Sequence, residues 1–137
     1  MFERTEALYA DLAKTLGLNE LRADENAGIQ LSVGEDSTVV LFAEDEFTLL
    51  VVSPVTALPK QLDYGRALWL LRRNFYDSPI APFRVSCDQA GSIVLWGRIP
   101  VDGLTGEQLA RFIDALAAEA DLIREEVEID ETVDAAA

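Results

Sequence analysis

The predicted strands of this chain fall into two groups separated by a helix, and this order limits the possible folds more than any other feature. Residues 29–33, 38–42 and 47–52 are apolar or alternating segments bounded by short turn-forming loops, which predicts three antiparallel strands. Residues 83–87 and 92–99 predict a second hairpin. Strands and helices do not alternate as they do around a parallel sheet. We therefore expect an α+β protein with a twisted antiparallel sheet.

Three segments have helical periodicity and complete the order α-β-β-β-α-β-β-α. Helix one is predicted over residues 2–16, where apolar residues recur at helical spacing as far as Gly17, a residue type that commonly ends helices. Helix two is predicted over residues 63–76. Helix three is predicted to begin at Thr105, whose spacing from Gln108 is typical of a capping box. We expect the helices to pack on the sheet.

The chain has 137 residues, the usual length of one domain with one hydrophobic core. We assign residues 1–126 to this domain. Acidic residues become frequent near its end, and we expect residues 127–137 to form a disordered, solvated acidic tail. The N-terminus has no apolar stretch followed by a cleavage site, so no signal peptide is expected. The single cysteine, Cys87, fits a reducing compartment.

The charge balance excludes two classes of partner. The chain has 25 Asp and Glu residues against 11 Lys and Arg residues, which gives a formal net charge of −14. Such a surface repels phosphate, and beyond Arg72-Arg73 there is no cluster of basic residues. We therefore expect no nucleic-acid binding and no attachment to an anionic membrane. No apolar run approaches the roughly 20 residues that span a bilayer.

Enzymatic chemistry is not expected, because the chain contains no histidine. Histidine is the commonest general base and the commonest zinc ligand, so Ser-His and Cys-His nucleophiles are excluded. The acidic clusters lie at predicted turns without the spacing of a calcium loop, and the glycines form no phosphate-binding motif. We predict no catalytic residue, no metal site and no cofactor.

Apolar side chains occupy both faces of two predicted strands and all sides of the second helix. Residues 39–42 and 49–52 are continuous apolar runs, so helices that cover one face of the sheet would leave the other face for a partner chain. Residues 67–71 are apolar at five consecutive positions, as in a helix that is buried all round. Burial of its outer side against a second copy predicts a homodimer through helix two, with Trp69 as an anchor.

Five short patterns occur in a characteristic order along the chain. They are Leu8-x-x-x-Leu12-x-x-x-Leu16-Gly17-Leu18, Asp24-Glu25-x-x-Gly28, Leu70-Leu71-x-x-Asn74, Gly91-x-x-x-Leu95-Trp96 and Leu104-x-x-x-x-Leu109. In their joint order, and in size and acidity, residues 5–126 resemble the class I chaperones of bacterial type III secretion, the Tir-chaperone-like family.

The resemblance implies a bacterial cytoplasmic homodimer that holds the N-terminal segment of a secreted effector in an extended, export-competent form without ATP. By the same resemblance, helix two and the neighbouring strand would form the dimer interface through Leu68, Trp69, Leu71, Phe75, Phe83 and Val85. Helix one and the first three strands would offer apolar patches and a strand edge to the effector through Leu8, Leu12, Ile29, Leu31, Val33, Phe42, Leu49 and Val51. The pattern does not determine which face of each strand points outward.

Two other functions stay open from the sequence. A regulatory protein of the same fold would sequester a transcription factor or a secretion component in place of an exported effector. A small-molecule-binding or enzymatic α+β domain would need a pocket with converging polar groups. The absence of histidine disfavours that last function.

Overall fold

The structure is a computed structural model that describes residues 2–23 and 28–136, with side chains described as far as residue 128. The elements follow the predicted order. They are α1 (Glu3–Thr15), β1 (Gly28–Val33), β2 (Ser37–Ala43), β3 (Thr48–Ala57), α2 (Tyr64–Arg72), β4 (Arg84–Cys87), β5 (Ser92–Pro100) and α3 (Gly106–Ala136). This confirms the predicted α+β class. The turn predicted at Asp24-Glu25 lies outside the described residues.

The two groups of strands form one five-stranded antiparallel sheet with the order β1-β2-β3-β5-β4. The second hairpin therefore joins the first three strands through β5, which pairs with β3 along almost its whole length. The register of that pair shifts between Pro54 and Thr56. Within the described sheet, β1 and β4 are the two edge strands.

Up to the register shift after Pro54 in β3, odd-numbered residues of the strands point to the helices and even-numbered residues point away from them. Leu41, Leu49 and Val51 are completely buried. The inward residues of β5 are at most 2% exposed: Ile93, Leu95 and Ile99. Because successive side chains of a strand point to opposite faces, their even-numbered neighbours form the other side of the sheet. The structure thereby settles the orientation that the sequence pattern left undetermined.

The helices α1 and α3 complete the hydrophobic core on the inner face of the sheet. Leu12 of α1 and Leu109, Leu116 and Ile123 of α3 are completely buried with the inward strand residues. Burial of each such side chain contributes about 1.5–3 kcal/mol relative to its exposure. This core fixes α1 and α3 on one side of the sheet.

Polar caps set the beginning of two helices. The predicted capping box is present before α3: the Gln108 amide donates to Thr105 Oγ1 at 3.1 Å, and the Thr105 amide donates to Gln108 Oε1 at 3.0 Å. Asp63 caps α2 by accepting the Arg66 amide at 2.8 Å, and this hydrogen bond lowers the pKa of Asp63. The helix that follows ends at Arg72 and is shorter than predicted, because the chain continues as turns.

Helix α3 extends through the segment predicted to be a tail. Val127 is buried in the core, and Thr56 of β3 donates to Glu128 Oε1 at 3.4 Å. Arg124 donates to the Val55 carbonyl at 3.1 Å, which also ties this part of the helix to the sheet. Residues 127 and 128, which were assigned to the acidic tail, therefore contact the rest of the domain. A solvated tail stays a prediction for the residues beyond Glu128.

Candidate partner-binding surfaces

One face of the sheet carries apolar side chains that the helices do not bury. We call this set the open sheet face. Its members lie on β2, β3 and β5; all are half-buried except Phe42, which is exposed: Val40, Phe42, Leu50, Val52, Val94 and Trp96.

The strand register makes the open sheet face continuous. Val40 lies opposite Val52, and Val52 lies opposite Trp96, so these three side chains form a row across β2, β3 and β5. Phe42 and Leu50 form a second pair one step along the strands. Side chains directly opposite on neighbouring antiparallel strands are about 5 Å apart, so the neighbours within each row are in contact.

Polar groups hold the aromatic end of this face. The indole Nε1 of Trp96 donates to Ser86 Oγ at 2.8 Å, and the guanidinium of Arg98 lies 5.3 Å from the Trp96 ring centre. Arg98 also donates to Glu44 Oε2 at 2.8 Å, which raises the pKa of Arg98 and keeps it charged. Trp96 is thus a fixed aromatic group beside a cation, a combination that is common at protein interfaces.

Most residues predicted to contact an effector lie in the core. At most 4% of each of five of these residues is exposed, so they offer no surface to a bound segment: Leu8, Leu12, Ile29, Leu49 and Val51. Their assignment to an exposed patch is wrong, because odd strand positions and this side of α1 face the sheet–helix interface. Leu31 and Val33 are half-buried against the same core. Phe42 is the predicted residue that does lie on the open sheet face.

The other members of the open sheet face were missed as individual residues. The available signal was the continuous apolar run in β2 and in β3, which predicts two apolar faces without identifying which is covered. Val94 and Trp96 lie on β5, whose place beside β3 follows from the sheet order and is not visible in the sequence.

The second exposed apolar surface lies on α2 and the turn that follows it. We call it the α2 patch: Leu68, Trp69, Leu71, Phe75 and Tyr76. The fractional exposures are 66% for Leu71, 56% for Phe75 and 84% for Tyr76. The rings of Phe75 and Tyr76 are 4.4 Å apart. Of the apolar residues in α2 itself, Leu70 is the one that is fully buried, so the helix has an inner and an outer apolar side.

Two residues just after α2, Arg73 and Asn74, hold the C-terminal end of this helix. Arg73 forms an ion pair with the buried Glu119 of α3, with its Nε 2.8 Å from Glu119 Oε1, and its guanidinium lies 4.7 Å from the Trp69 ring centre. Asn74 forms two hydrogen bonds with the main chain of Val85 in β4. The α2 patch is therefore presented from a helix anchored to α3 and to the edge of the sheet.

Two residues predicted for the dimer interface have different environments. Phe83 is 3% exposed; a Cβ at Gly97 would come within 2.6 Å of its ring, and Phe112 packs against it at 5.6 Å. Phe83 is therefore a core residue, and its assignment to an exposed interface is wrong. Val85 is half-buried and packs against the core.

A groove of about 630 Å³ lies between the turn that precedes β4 and the start of α3. Apolar side chains such as Ile80, Leu104 and Phe112 line most of it, and Asp102, Gln108 and Arg111 also contribute. Among residues 2–23 and 28–128, no group of three or more Asp, Glu or Cys side chains could hold a metal ion. No helix in the described chain is long and apolar enough to cross a membrane.

Comparison with known families and structures assigns this fold to a family. The sequence model of the Tir chaperone protein (CesT) family matches residues 7–124, which is most of the chain. The chain belongs to this family. Its membership confirms the resemblance found in the sequence. A comparison with curated proteins found no match.

Solved structures from type III secretion share the CesT-family fold of this chain. A chain of the heterodimeric ExoU-SpcU complex from the type III secretion system of Pseudomonas aeruginosa is 26% identical, with a TM-score of 0.75 and coverage of 88% of this chain and 98% of that chain. The structure of the Yersinia pestis type III secretion chaperone SycH, in complex with a stable fragment of YscM2, is 24% identical with a TM-score of 0.73. The match covers 86% of this chain and 98% of that chain. A chain of the HopA1-SchA chaperone-effector complex is 16% identical with a TM-score of 0.73. The match covers 89% of this chain and 94% of that chain.

Proposed function

We propose that this protein is a chaperone of a bacterial type III secretion system that binds an extended segment of a secreted effector on the open sheet face. The row of apolar side chains from Val40 through Val52 to Trp96 is the observation that carries the proposal. An apolar surface of this kind, on a chain with a net charge of −14, is typical of a partner-binding site. Family membership and the likeness to chains of solved chaperone complexes support it.

Binding of an extended segment needs no catalytic group. A strand that lies along the sheet gains main-chain hydrogen bonds at an edge, and every second side chain of a segment can enter an apolar patch. The segment becomes ordered only on binding, so part of the interaction energy offsets its lost conformational freedom. The protein would therefore act as a binding partner and not as an enzyme, in the bacterial cytoplasm, before export of the effector.

A homodimer through the α2 patch is the second part of the proposal. Leu71, Phe75 and Tyr76 together expose a large apolar surface on one side of the chain. A two-fold interface places the same patch of both copies in contact and so covers both patches at once. The open sheet face lies on other elements and would stay available in such a dimer.

The test compares partner binding by two variants that carry the same charge at different exposed apolar sites. Each tagged protein is produced in the cells that normally make it, and co-purifying proteins are identified by mass spectrometry. Val52→Asp places a charge in the open sheet face and should weaken binding of a secreted partner at least about tenfold, since 1.4 kcal/mol already gives that factor. Leu122→Asp changes an exposed residue of α3 and should leave binding unchanged.

Circular dichroism must first show that both variants fold like the parent protein. Protease protection in the complex should then be confined to one segment of the partner, while the rest of the partner folds normally. A folded Val52→Asp variant that binds as tightly as the parent would refute the proposal, as would a compact partner domain bound without an extended segment. A transcription factor as the co-purifying partner would favour the regulatory alternative.

A further inference from the structure

The two edges of the sheet are treated differently by the rest of the chain. An edge strand exposes main-chain N–H and C=O groups that can pair with any other strand. The described sheet has two such edges, β1 and β4. One side chain lies against the β4 edge and makes the bonds that a neighbouring strand would make.

That side chain is Asn74, in the turn after α2. Its Nδ2 donates to the Val85 carbonyl at 2.9 Å, and the Val85 amide donates to its Oδ1 at 2.6 Å. A carboxamide has the same donor and acceptor groups as a peptide unit. Asn74 therefore occupies both outward-pointing main-chain groups of the second residue of β4.

Few pairing groups then remain on this edge. Residues of an antiparallel edge strand alternate between bonding the neighbouring strand and pointing outward. The Asp88 amide bonds to the Ser92 carbonyl at 2.9 Å, towards β5, so Val85 and Cys87 are the outward residues of β4. Before the strand, the Phe83 amide is already bonded to the Ile80 carbonyl at 2.8 Å. The groups left for a partner are the Phe83 carbonyl and the main chain of Cys87, which lie on either side of the bonded Val85 and are too few for a strand to add.

Among the residues that the structure describes, none blocks the β1 edge along residues 29–33 in a comparable way. No side chain in the described parts of the chain forms a hydrogen bond with the main chain of these residues. The strand is six residues long, against four for β4. The contrast between the two edges is therefore one of length and of side-chain capping.

The position of Asn74 is fixed from both sides. Its own amide donates to the Leu71 carbonyl at 3.0 Å, and its neighbour Arg73 is held by the buried Glu119. The same turn that anchors the α2 patch thus places the carboxamide against β4.

We propose that Asn74 closes the β4 edge to strand addition and so directs an extended partner strand to the β1 edge. The closing of β4 is a property of the chain alone. The direction of a partner strand to β1 rests on the proposed function.

The first test needs only the purified full chain. Asn74→Ala opens the β4 edge, and sedimentation velocity over a range of protein concentrations should show association to about twice the mass of the parent species, since edge pairing joins two molecules. Adding Val85→Pro should reverse this association. Proline has no N–H, so this change removes the outward-pointing donor at position 85 that a partner strand would use. It breaks no hydrogen bond between β4 and β5. Asn19→Ala, at an exposed asparagine elsewhere in the chain, should behave like the parent.

A purely structural role for Asn74 predicts lower stability without new association. A folded Asn74→Ala variant that keeps the mass of the parent at every concentration would therefore overturn the proposal. If that variant does not fold, Asn74→Asp retains the acceptor for the Val85 amide and loses the donor, and it should show the same association more weakly. In the parent, the Val85 amide should exchange with deuterium more slowly than the Cys87 amide; equal or faster exchange at Val85 would also overturn it.

The second test uses the complex of the full chain with the partner that co-purifies from native cells. Amide exchange of residues 29–33 should slow in the complex, while that of Cys87 should not change. Slowing at β4 alone would overturn the directing role of Asn74. Absence of any co-purifying partner would count against the proposed function and would leave the association test of the β4 edge unaffected.

Discussion

At the scale of single residues, Tyr9 gives the chain a defined response to alkaline pH. It is buried, and its hydroxyl has no hydrogen-bond partner in the described structure. Burial raises the pKa of Tyr9 from 10.0 to about 12, because the phenolate would lose its hydration. The unfolded chain releases this proton at lower pH than the folded chain. Stability is therefore unaffected below pH 10 and should fall as the pH rises towards 12.

The measurement is a phenolate absorbance titration combined with urea unfolding at several alkaline pH values. Tyr9→Phe removes the titrating group, so it should abolish the ionisation step near pH 12 and reduce the loss of stability above pH 10. At neutral pH this variant should be at least as stable as the parent, because an unsatisfied buried hydroxyl is removed. Persistence of the late ionisation step in Tyr9→Phe would contradict the assignment.

The limits of sequence prediction are also visible in single residues. Val51 and Val52 are the same residue type in the middle of β3, and one is completely buried while the other lies on the open sheet face. An apolar run on both faces predicts a strand but carries no period from which to choose the covered face. The choice is made by the packing of α1 and α3, which depends on contacts distant in sequence. This is why the strands were predicted and most residues of the open sheet face were not.

At the scale of elements, the approach of α1 to α3 depends on a glycine. A Cβ at Gly106, the first residue of α3, would lie 2.5 Å from the main-chain carbon of Asp11 in α1. The Gly106 amide also donates to Asp11 Oδ2 at 2.6 Å. Gly106→Ala should therefore push α1 away from α3 and lower the free energy of unfolding in urea by about 1–3 kcal/mol. Glu107→Ala, at the next and exposed position, should change it by less than about 1 kcal/mol.

The ion pair between α2 and α3 should cost most when only one partner is removed. Glu119 has 5% of its side chain exposed and is paired with Arg73. Arg73→Leu leaves this carboxylate buried without its partner and should lower the free energy of unfolding by about 3 kcal/mol. Adding Glu119→Leu should recover most of that loss, because two apolar side chains need no partner. Urea unfolding at one fixed protein concentration measures both effects. A double variant no more stable than Arg73→Leu alone would contradict this account.

Helix α2 shows what the sequence could and could not specify about an element. Five consecutive apolar residues predicted that the helix needs burial on more than one side. They did not predict that Leu70 would face the core while Leu71 faces outward, because a continuous apolar run has no helical period. The family resemblance placed Phe83 in the dimer interface with this helix, yet the close approach of Gly97 accommodates it inside the core.

At the scale of the whole molecule, two apolar surfaces on different elements are proposed to bind two different partners, an effector segment and a second copy of the chain. The open sheet face belongs to β2, β3 and β5, and the α2 patch belongs to a helix tied to α3 and β4. A charge in one surface should therefore affect one association and spare the other. The family and the element order were predictable because they depend on patterns along the whole chain. The two surfaces depend on the tertiary arrangement.

The dimer prediction tests this separation. Light scattering of the parent at micromolar concentration should give about twice the chain mass of 15.1 kDa, because a two-fold contact covers both α2 patches. Leu71→Asp places a charge on the most exposed residue of α2 that the sequence assigned to the interface, and it should give a folded monomer, since an unpaired charge in an apolar interface costs several kcal/mol. Val52→Asp, on the open sheet face, should remain dimeric. A stable monomeric parent, or a dimer unaffected by Leu71→Asp, would show that the α2 patch is not the interface.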